Sequence, residues 1–497
     1  MRRALAIFAL LLLATPTWAQ TPTMVHHIWG GGMDGGSLNG GADGGNGIVM
    51  HVDSKAGLAG NAWVLCMTYP AAATITSIAT DQSQTFPTAA VSINNSGATL
   101  TTAMFVLPNL TAGTGRLTVT FGADVADFQA SLTEFYNVAT ASPVNGTTSA
   151  NLFAASGAVA AGSFTPTDDT IDNLIVQCAL DVHSGHTDGS LTQALPTVGP
   201  GFTFAGADRR LAGAVQYTVK LADSGPINPT LTFGTSGDQF NTVAAALKSA
   251  TAGTAPAAGI RVVRMIHSNA DSSVATFTIP FPSSGNTLAM VIGYSTANDS
   301  YSTVSDSLNA GNWTKTADVT DAGQSFYREN AMTGDAMTIT ITHTSPNVSW
   351  FILYDITGGA TSSFDATGRI DASGTQAAAN DNIVNAPDYT PTTNGNGITI
   401  ANLVMGTGPP KDNLGAGQTH DALWYTGKPD GGTLDSGDGF AHAYYTSSAA
   451  QNWPWSTANT VNSAWWGSAI SFKEAPAVAA ARTLDSPKII LAMDDEP

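Results

Sequence analysis

Gly60-Asn61-Ala62-Trp63-Val64-Leu65-Cys66-Met67-Thr68-Tyr69 returns 225 positions later as Gly285-Asn286-Thr287-Leu288-Ala289-Met290-Val291-Ile292-Gly293-Tyr294. Each stretch is a Gly-Asn turn opening into an apolar run of strand length, too short and too flanked by turn residues for a buried helix. The same offset of 225 recurs along the chain. Thr80-Asp81 answers Ser305-Asp306, and Phe164-Thr165-Pro166-Thr167 answers Tyr389-Thr390-Pro391-Thr392. Ala246-Leu247-Lys248 answers Ser471-Phe472-Lys473. Between these anchors the register slips and recovers. Leu117-Thr118-Val119-Thr120 matches Met337-Thr338-Ile339-Thr340, and Phe135-Tyr136 matches Tyr354-Asp355, at offsets near 220. Met24-Val25-His26 matches Met265-Ile266-His267, so His267 echoes His26. Insertions that cancel are the mark of two diverged copies of one fold.

Both copies read as β. Runs rich in Val, Ile, Thr, Phe and Tyr alternate with clusters of Gly, Asn, Asp, Ser and Pro, and no segment keeps a capped 3.6-residue apolar period. Charged residues make up 11% of the 497-residue chain, against roughly 25% in an average soluble protein. The 37 acids and 18 bases leave a net charge of −19, which excludes the clustered Lys and Arg of a nucleic-acid binder. A copy of about 215 residues with about twelve strands suits a two-sheet jelly roll. An immunoglobulin-type sandwich of about 100 residues would have to occur twice per copy, and no repeat at half the period is visible. The expected fold is therefore all-β, with two tandem jelly-roll-like antiparallel sandwiches at 20–250 and 260–475. A Gly-, Ala- and Thr-rich linker, 251–259, joins them.

The ends carry separate signals. Arg2 and Arg3, the apolar run from Ala4 to Ala14, and Thr17-Trp18-Ala19 form a secretory signal peptide over 1–19. Its removal takes the net charge to −21, and no later stretch is apolar enough to span a bilayer. The expected location is extracellular, with no nucleic-acid partner. Residues 476–497 read as a disordered acidic tail ending Asp494-Asp495-Glu496-Pro497. Cys66 and Cys178 either pair, as cysteines of exported proteins do, or remain buried thiols; sequence does not supply the separation that decides it.

The Gly-Asn strand openings, the Asp-bearing turns, the aromatic-Thr-Pro-Thr motifs and the strands closing on Lys248 and Lys473 carry a resemblance. The chain resembles the tandem β-sandwich modules of large secreted bacterial proteins, which are similar to concanavalin A-like lectin/glucanase jelly rolls. The resemblance covers nearly the whole mature chain and implies a fold; its motifs are turns and strands, not catalytic signatures. The lectin/glucanase-type hydrolases carry a Glu-x-Asp-x-x-Glu strand that this chain lacks.

Candidate chemistry is sparse. Trp424, Trp453, Trp455, Trp465, Trp466 and the Tyr444-Tyr445 pair crowd the end of the second copy, whereas the matching stretch of the first has no Trp. Flat aromatic rings stack on sugar faces or fill cores. The expected ligand is a polysaccharide or cell-surface glycan, held by Trp453, Trp455, Trp424 and Tyr444. Asp430, Asp435 and Asp438 in one Gly-rich loop, and Asp34, Asn39, Asp43 and Asn46 in another, are oxygen-rich segments of the kind that hold structural Ca²⁺. His183, His186 and Asp188 have metal-ligand spacing but sit in a Gly-Ser loop. Glutamate is confined to Glu134, Glu329, Glu474 and Glu496, and a glycosidase needs a facing carboxylate pair. Glu134 lies on an apolar strand where alternation would put it on a concave face, and its counterpart falls at Leu353. The chain is expected to be a non-catalytic binding module. The alternatives are a structural or adhesive extracellular or virion-surface protein, and a jelly-roll polysaccharide lyase or hydrolase working through Glu134.

Overall fold

A computed structural model describes residues 21–32, 47–97, 99–123, 128–153, 157–182, 196–208, 213–233, 239–269, 276–292, 301–316, 325–335, 337–343, 350–374, 383–405, 410–413, 418–426, 436–457 and 463–476. They are all-β and contain no helix, so none long and apolar enough to cross a membrane. The strands fall into four consecutive units, two per copy.

The first unit holds β1 (Thr23–Gly32), β2 (Gly47–His51), β3 (Ala62–Pro70), β4 (Ile75–Thr80), β5 (Val91–Asn94), β6 (Leu100–Leu107), β7 (Arg116–Phe121) and β8 (Phe128–Tyr136). The second holds β9 (Val144–Phe153), β10 (Ala158–Ala160), β11 (Asn173–Asp181), β12 (Thr203–Asp208), β13 (Gly213–Lys220), β14 (Thr230–Thr232) and β15 (Gln239–Lys248). The third holds β16 (Arg261–Asn269), β17 (Thr276–Pro280), β18 (Asn286–Ile292), β19 (Tyr301–Asp306), β20 (Thr314–Lys315), β21 (Ser325–Ala331), β22 (Thr338–His343) and β23 (Trp350–Thr357). The fourth holds β24 (Gly359–Gly374), β25 (Ile383–Tyr389), β26 (Gly397–Met405), β27 (Pro410–Asn413), β28 (Gln418–Thr426), β29 (Ser436–Tyr445), β30 (Gln451–Thr457) and β31 (Ser463–Glu474).

One topology serves all four. Counting strand positions within a unit, the larger sheet always runs 5-6-3-8-1 and the smaller 2-7-4. The first unit gives β5-β6-β3-β8-β1 over β2-β7-β4, and the fourth gives β28-β29-β26-β31-β24 over β27-β30-β25. Among the described residues the second unit shows no strand at position 4, but the bridge between Thr197 and Thr232 marks its place beside β14. A repeat at half the period is thus present in topology although absent from the residues.

The larger sheets converge on a centre. β16 pairs in parallel with β1 (Arg264 with His27) and with β12 (His267 with Asp208), while β28 lies alongside β1 and β2. The result is a four-blade, propeller-like arrangement rather than two clearly separate sandwiches. Burial explains the two kinds of sequence run. β3 is apolar throughout because both its faces are covered: Trp63, Leu65 and Met67 face the first unit's own core, and Val64 and Cys66 face the second unit. β7 alternates because its sheet covers only one side: Leu117, Val119 and Phe121 are buried while Thr118 and Thr120 reach the surface.

The turns hold the repeat together. Gly60 and Gly285 both adopt positive φ (78° and 81°), the left-handed conformation glycine takes without a Cβ clash. The segment read as a linker is pinned down: Thr254 donates its backbone N–H to Asn61 Oδ1 at 2.7 Å and its hydroxyl to the Ala59 carbonyl.

Cys66 and Cys178 form a disulfide across 112 residues, with Cα atoms 6.5 Å apart. Each lies on the third strand of its unit, so the bond joins the facing sheets of the first and second units. Strand register identifies the corresponding pair in the second copy as Val291 and Asn402. There Asn402 Nδ2 donates to the Ile292 carbonyl at 3.0 Å, and a hydrogen bond stands where the first copy has a covalent link. Replacing both cysteines by alanine should lower the unfolding free energy by about 2–4 kcal/mol in chemical denaturation. Reductant should move the wild type toward the variant and leave the variant unchanged.

Candidate functional site

The densest group of ionisable side chains lies where the first, third and fourth units meet. In β29, Phe440, His442 and Tyr444 share one face, as i, i+2 residues of a strand must. That face turns His442 into the junction, fully buried. Its Nδ1 hydrogen-bonds Asp421 Oδ1 at 2.6 Å, and its Nε2 stands 3.3 Å from Asp53 Oδ2. Asp421 belongs to β28; Asp53 follows β2 and comes from the other copy. Two tyrosines extend the chain of contacts. Tyr354 of β23 donates to Asp421 Oδ2 at 2.8 Å, and Tyr444 donates to Asp53 Oδ2 at 2.6 Å across 391 residues of sequence. The Tyr444 hydroxyl also accepts the Val262 N–H, and the Lys55 ammonium lies 4.0 Å above its ring. Lys55 donates in turn to the Ile260 carbonyl at 2.5 Å, fastening the turn after β2 to the start of β16.

The charge state follows from these neighbours. Burial pushes the His442 imidazole toward neutrality, but Asp421 and Asp53 more than offset it and its pKa is pushed up to about 10. Burial by itself would raise Asp53; His442 outweighs that and holds its carboxyl well below the usual range. His442 is therefore a cation clamped between two anions. His26, whose Nδ1 lies 3.2 Å from the Val262 carbonyl, has its pKa lowered by burial, with Asp53 pulling the other way. His27, hydrogen-bonded through Nδ1 to Thr133 Oγ1 at 2.7 Å, is lowered further by burial and by His26. The arrangement brings groups from both copies into one buried cluster.

The second copy-to-copy junction mirrors the first. Arg264 of β16 pairs with Asp355 at 3.1 Å, both buried, and donates to the Phe204 carbonyl of the second unit. Register places Arg264 opposite Asp355 as His26 is opposite Glu134, so the residue matching His26 is Arg264, not His267, and Glu134 matches Asp355, not Leu353. The roles agree as well. Glu134 accepts from the N–H groups of Gly57 (2.6 Å) and Leu58 (3.0 Å), from Asn61 Nδ2 (2.7 Å) and from Trp63 Nε1 (3.1 Å). Asp355 accepts from the Ser284 N–H and hydroxyl. Each carboxylate tethers the turn that precedes a Gly-Asn. Glu134, 2% exposed, lines no concave face, and its donors occupy the oxygens a general acid would need.

The tryptophans expected to grip a glycan face inward. Trp453 and Trp455, both 0% exposed, share a face of β30 and fill the fourth unit's core with Tyr389, Leu403 and Ala441. Pro454, which separates them, takes the outer position of the strand. Tyr444 is committed to Asp53 rather than to a ligand. The Trp424, Trp465 and Trp466 rings, the Asp438 side chain, and Asp430, Asp435, Asp34, Asn39, Asp43, Asn46, His183, His186 and Asp188 lie outside what is described. Among the described residues, no group of three His, Cys, Asp or Glu is placed to hold a metal ion. No family model, curated protein or solved structure matches this chain.

Trp453→Ala should destabilise the protein by about 3–5 kcal/mol, the cost of an emptied aromatic site, and calorimetry is the readout. His442→Gln leaves two buried carboxylates facing each other and should cost about 3–5 kcal/mol near neutral pH. Its sign is fixed by linkage. The raised pKa makes the His442 contribution complete below the ordinary value of 6.5 and progressively lost as pH climbs toward about 10. The gap in stability between wild type and His442→Gln should accordingly close across that interval. A gap independent of pH would mean that His442 is neutral in the fold.

Proposed function

We propose that this chain is an exported structural or adhesive protein, a rigid and non-catalytic extracellular body. The observation that carries the reading is the Asp53–His442–Asp421 clamp. Asp53, Asp421 and His442 are all buried in the junction between copies and face one another. Rigidity also draws on the Cys66–Cys178 bond and on larger sheets covered on both faces. Export rests on the signal segment at 1–19 and is consistent with a disulfide.

The fold ancestry belongs to the same proposal. A jelly roll divides its eight strands into sheets 1-8-3-6 and 2-7-4-5; the present order moves strand 5 to the end of the first sheet and keeps every other neighbour. Each of the four units reads as a jelly roll with that one exchange, at half the length expected for one such sandwich. Carbohydrate recognition, which the resemblance to the concanavalin A-like modules suggests, loses Trp453 and Trp455 as contacts.

Calorimetry and a glycan panel together test this reading. One cooperative transition for the whole chain, no retained polysaccharide and no released product are expected. Glycan retention that Trp424→Ala abolishes would replace the structural reading with the carbohydrate-binding one. Product release lost in Glu134→Gln would replace it with an enzyme.

A further inference from the structure

Three large apolar side chains stand exposed among the described residues: Leu221 at 63%, Met332 at 57% and Val144 at 38%. All three lie at one end of the molecule. Because β1 and β12 both run parallel to β16, the odd-position strands of the first three units point the same way, and the even-position strands finish where these begin. Leu221 follows β13, Met332 follows β21, and Val144 opens β9.

Leu221 borders a groove of about 480 Å³ at this end, lined also by Pro200, Phe202, Lys220, Pro226 and Ile227. Phe202 and Ile227 rest on the cluster formed by Ile175 and Ala246, so the floor is firm. The Lys220 ammonium is tied to Asp169, which leaves the lining largely uncharged. The last strand leaves at the same end. Ala475 donates its N–H to the Gly358 carbonyl at 2.8 Å, and Glu474 lies against Gly259, just ahead of β16. Past residue 476 the chain continues to Lys488-Ile489-Ile490-Leu491-Ala492-Met493, an apolar stretch of high strand propensity closed by three acids. The intervening residues 477–487 can span about 36 Å when extended.

We propose that residues 488–493 of the same chain seat in the Leu221 groove as an extended segment, apolar side chains inward and the closing acids at the rim. The length and exit point of the tail, the apolar lining and the exposed Leu221 all favour this occupant. An extended segment anchored by alternate side chains is a recurrent way to fill such a groove.

Hydrogen exchange on the full chain and on a chain ending at Pro476, which keeps every strand, tests the assignment. Amides of 199–202 and 218–230 should exchange severalfold faster without the tail, and a synthetic peptide covering 485–495 should restore their protection. Leu221→Asp in the full chain should reproduce the truncation. Equal exchange in the two chains overturns the proposal. So does protection that disappears on dilution, since it would make the occupant the tail of a second copy.

Discussion

A protonated histidine held between two carboxylates in a buried junction is the interaction on which this molecule turns. Asp53 comes from the first copy, Asp421 and His442 from the second, and all three are buried. A buried ion pair gains little over a well-packed apolar core but costs several kcal/mol when one partner is lost. The junction therefore acts less as glue than as a key. Only the docking that brings these three groups together avoids a naked buried charge.

The same logic recurs in altered chemistry at the related junction. There Arg264 supplies the cation and Asp355 the anion, while His26, the partner in register of Arg264, is held toward neutrality by burial. Carboxylates also organise the turns. Glu134 and Asp355 hold the approach to Gly60 and Gly285. Asp365 receives the Thr392 and Thr393 N–H groups after the Tyr389-Thr390-Pro391 motif, as Asn145 Oδ1 receives the Asp168 N–H after Phe164-Thr165-Pro166. In a chain with so few charges, nearly every described acid has a structural address.

The all-β class and the period of 225 were legible because they rest on local chemistry. Gly60 and Gly285 need positive φ, β7 needs alternation, and β3 needs apolar residues on both faces. The half-period was not legible because topology alone preserves it; the one residue clue is that Cys66 and Cys178 sit 112 apart, near half of 225. The tryptophan reading failed at Trp453 and Trp455 because alternation around Pro454 puts two residues on a common face without saying which face is inside. The central site had no local signature at all. His442 and Tyr444 on one side of an alanine-rich strand were the only hint, and their partner Asp53 is almost the whole chain away.

The central strands carry a further consequence. In the first and third units the strand at position 1 faces the centre, whereas in the second and fourth it is the strand at position 5. Successive units therefore present opposite edges inward, and no rotation of one unit by quarter turns could generate the molecule. A half turn of one copy does. Two separate chains of about 225 residues, associated as a symmetric dimer, would place all four central strands where they now stand, with every larger sheet keeping an inward edge covered. Fusion of such a dimer into one chain removes the need for symmetry. In a single chain the two junctions need not match, and one uses histidine where the other uses arginine.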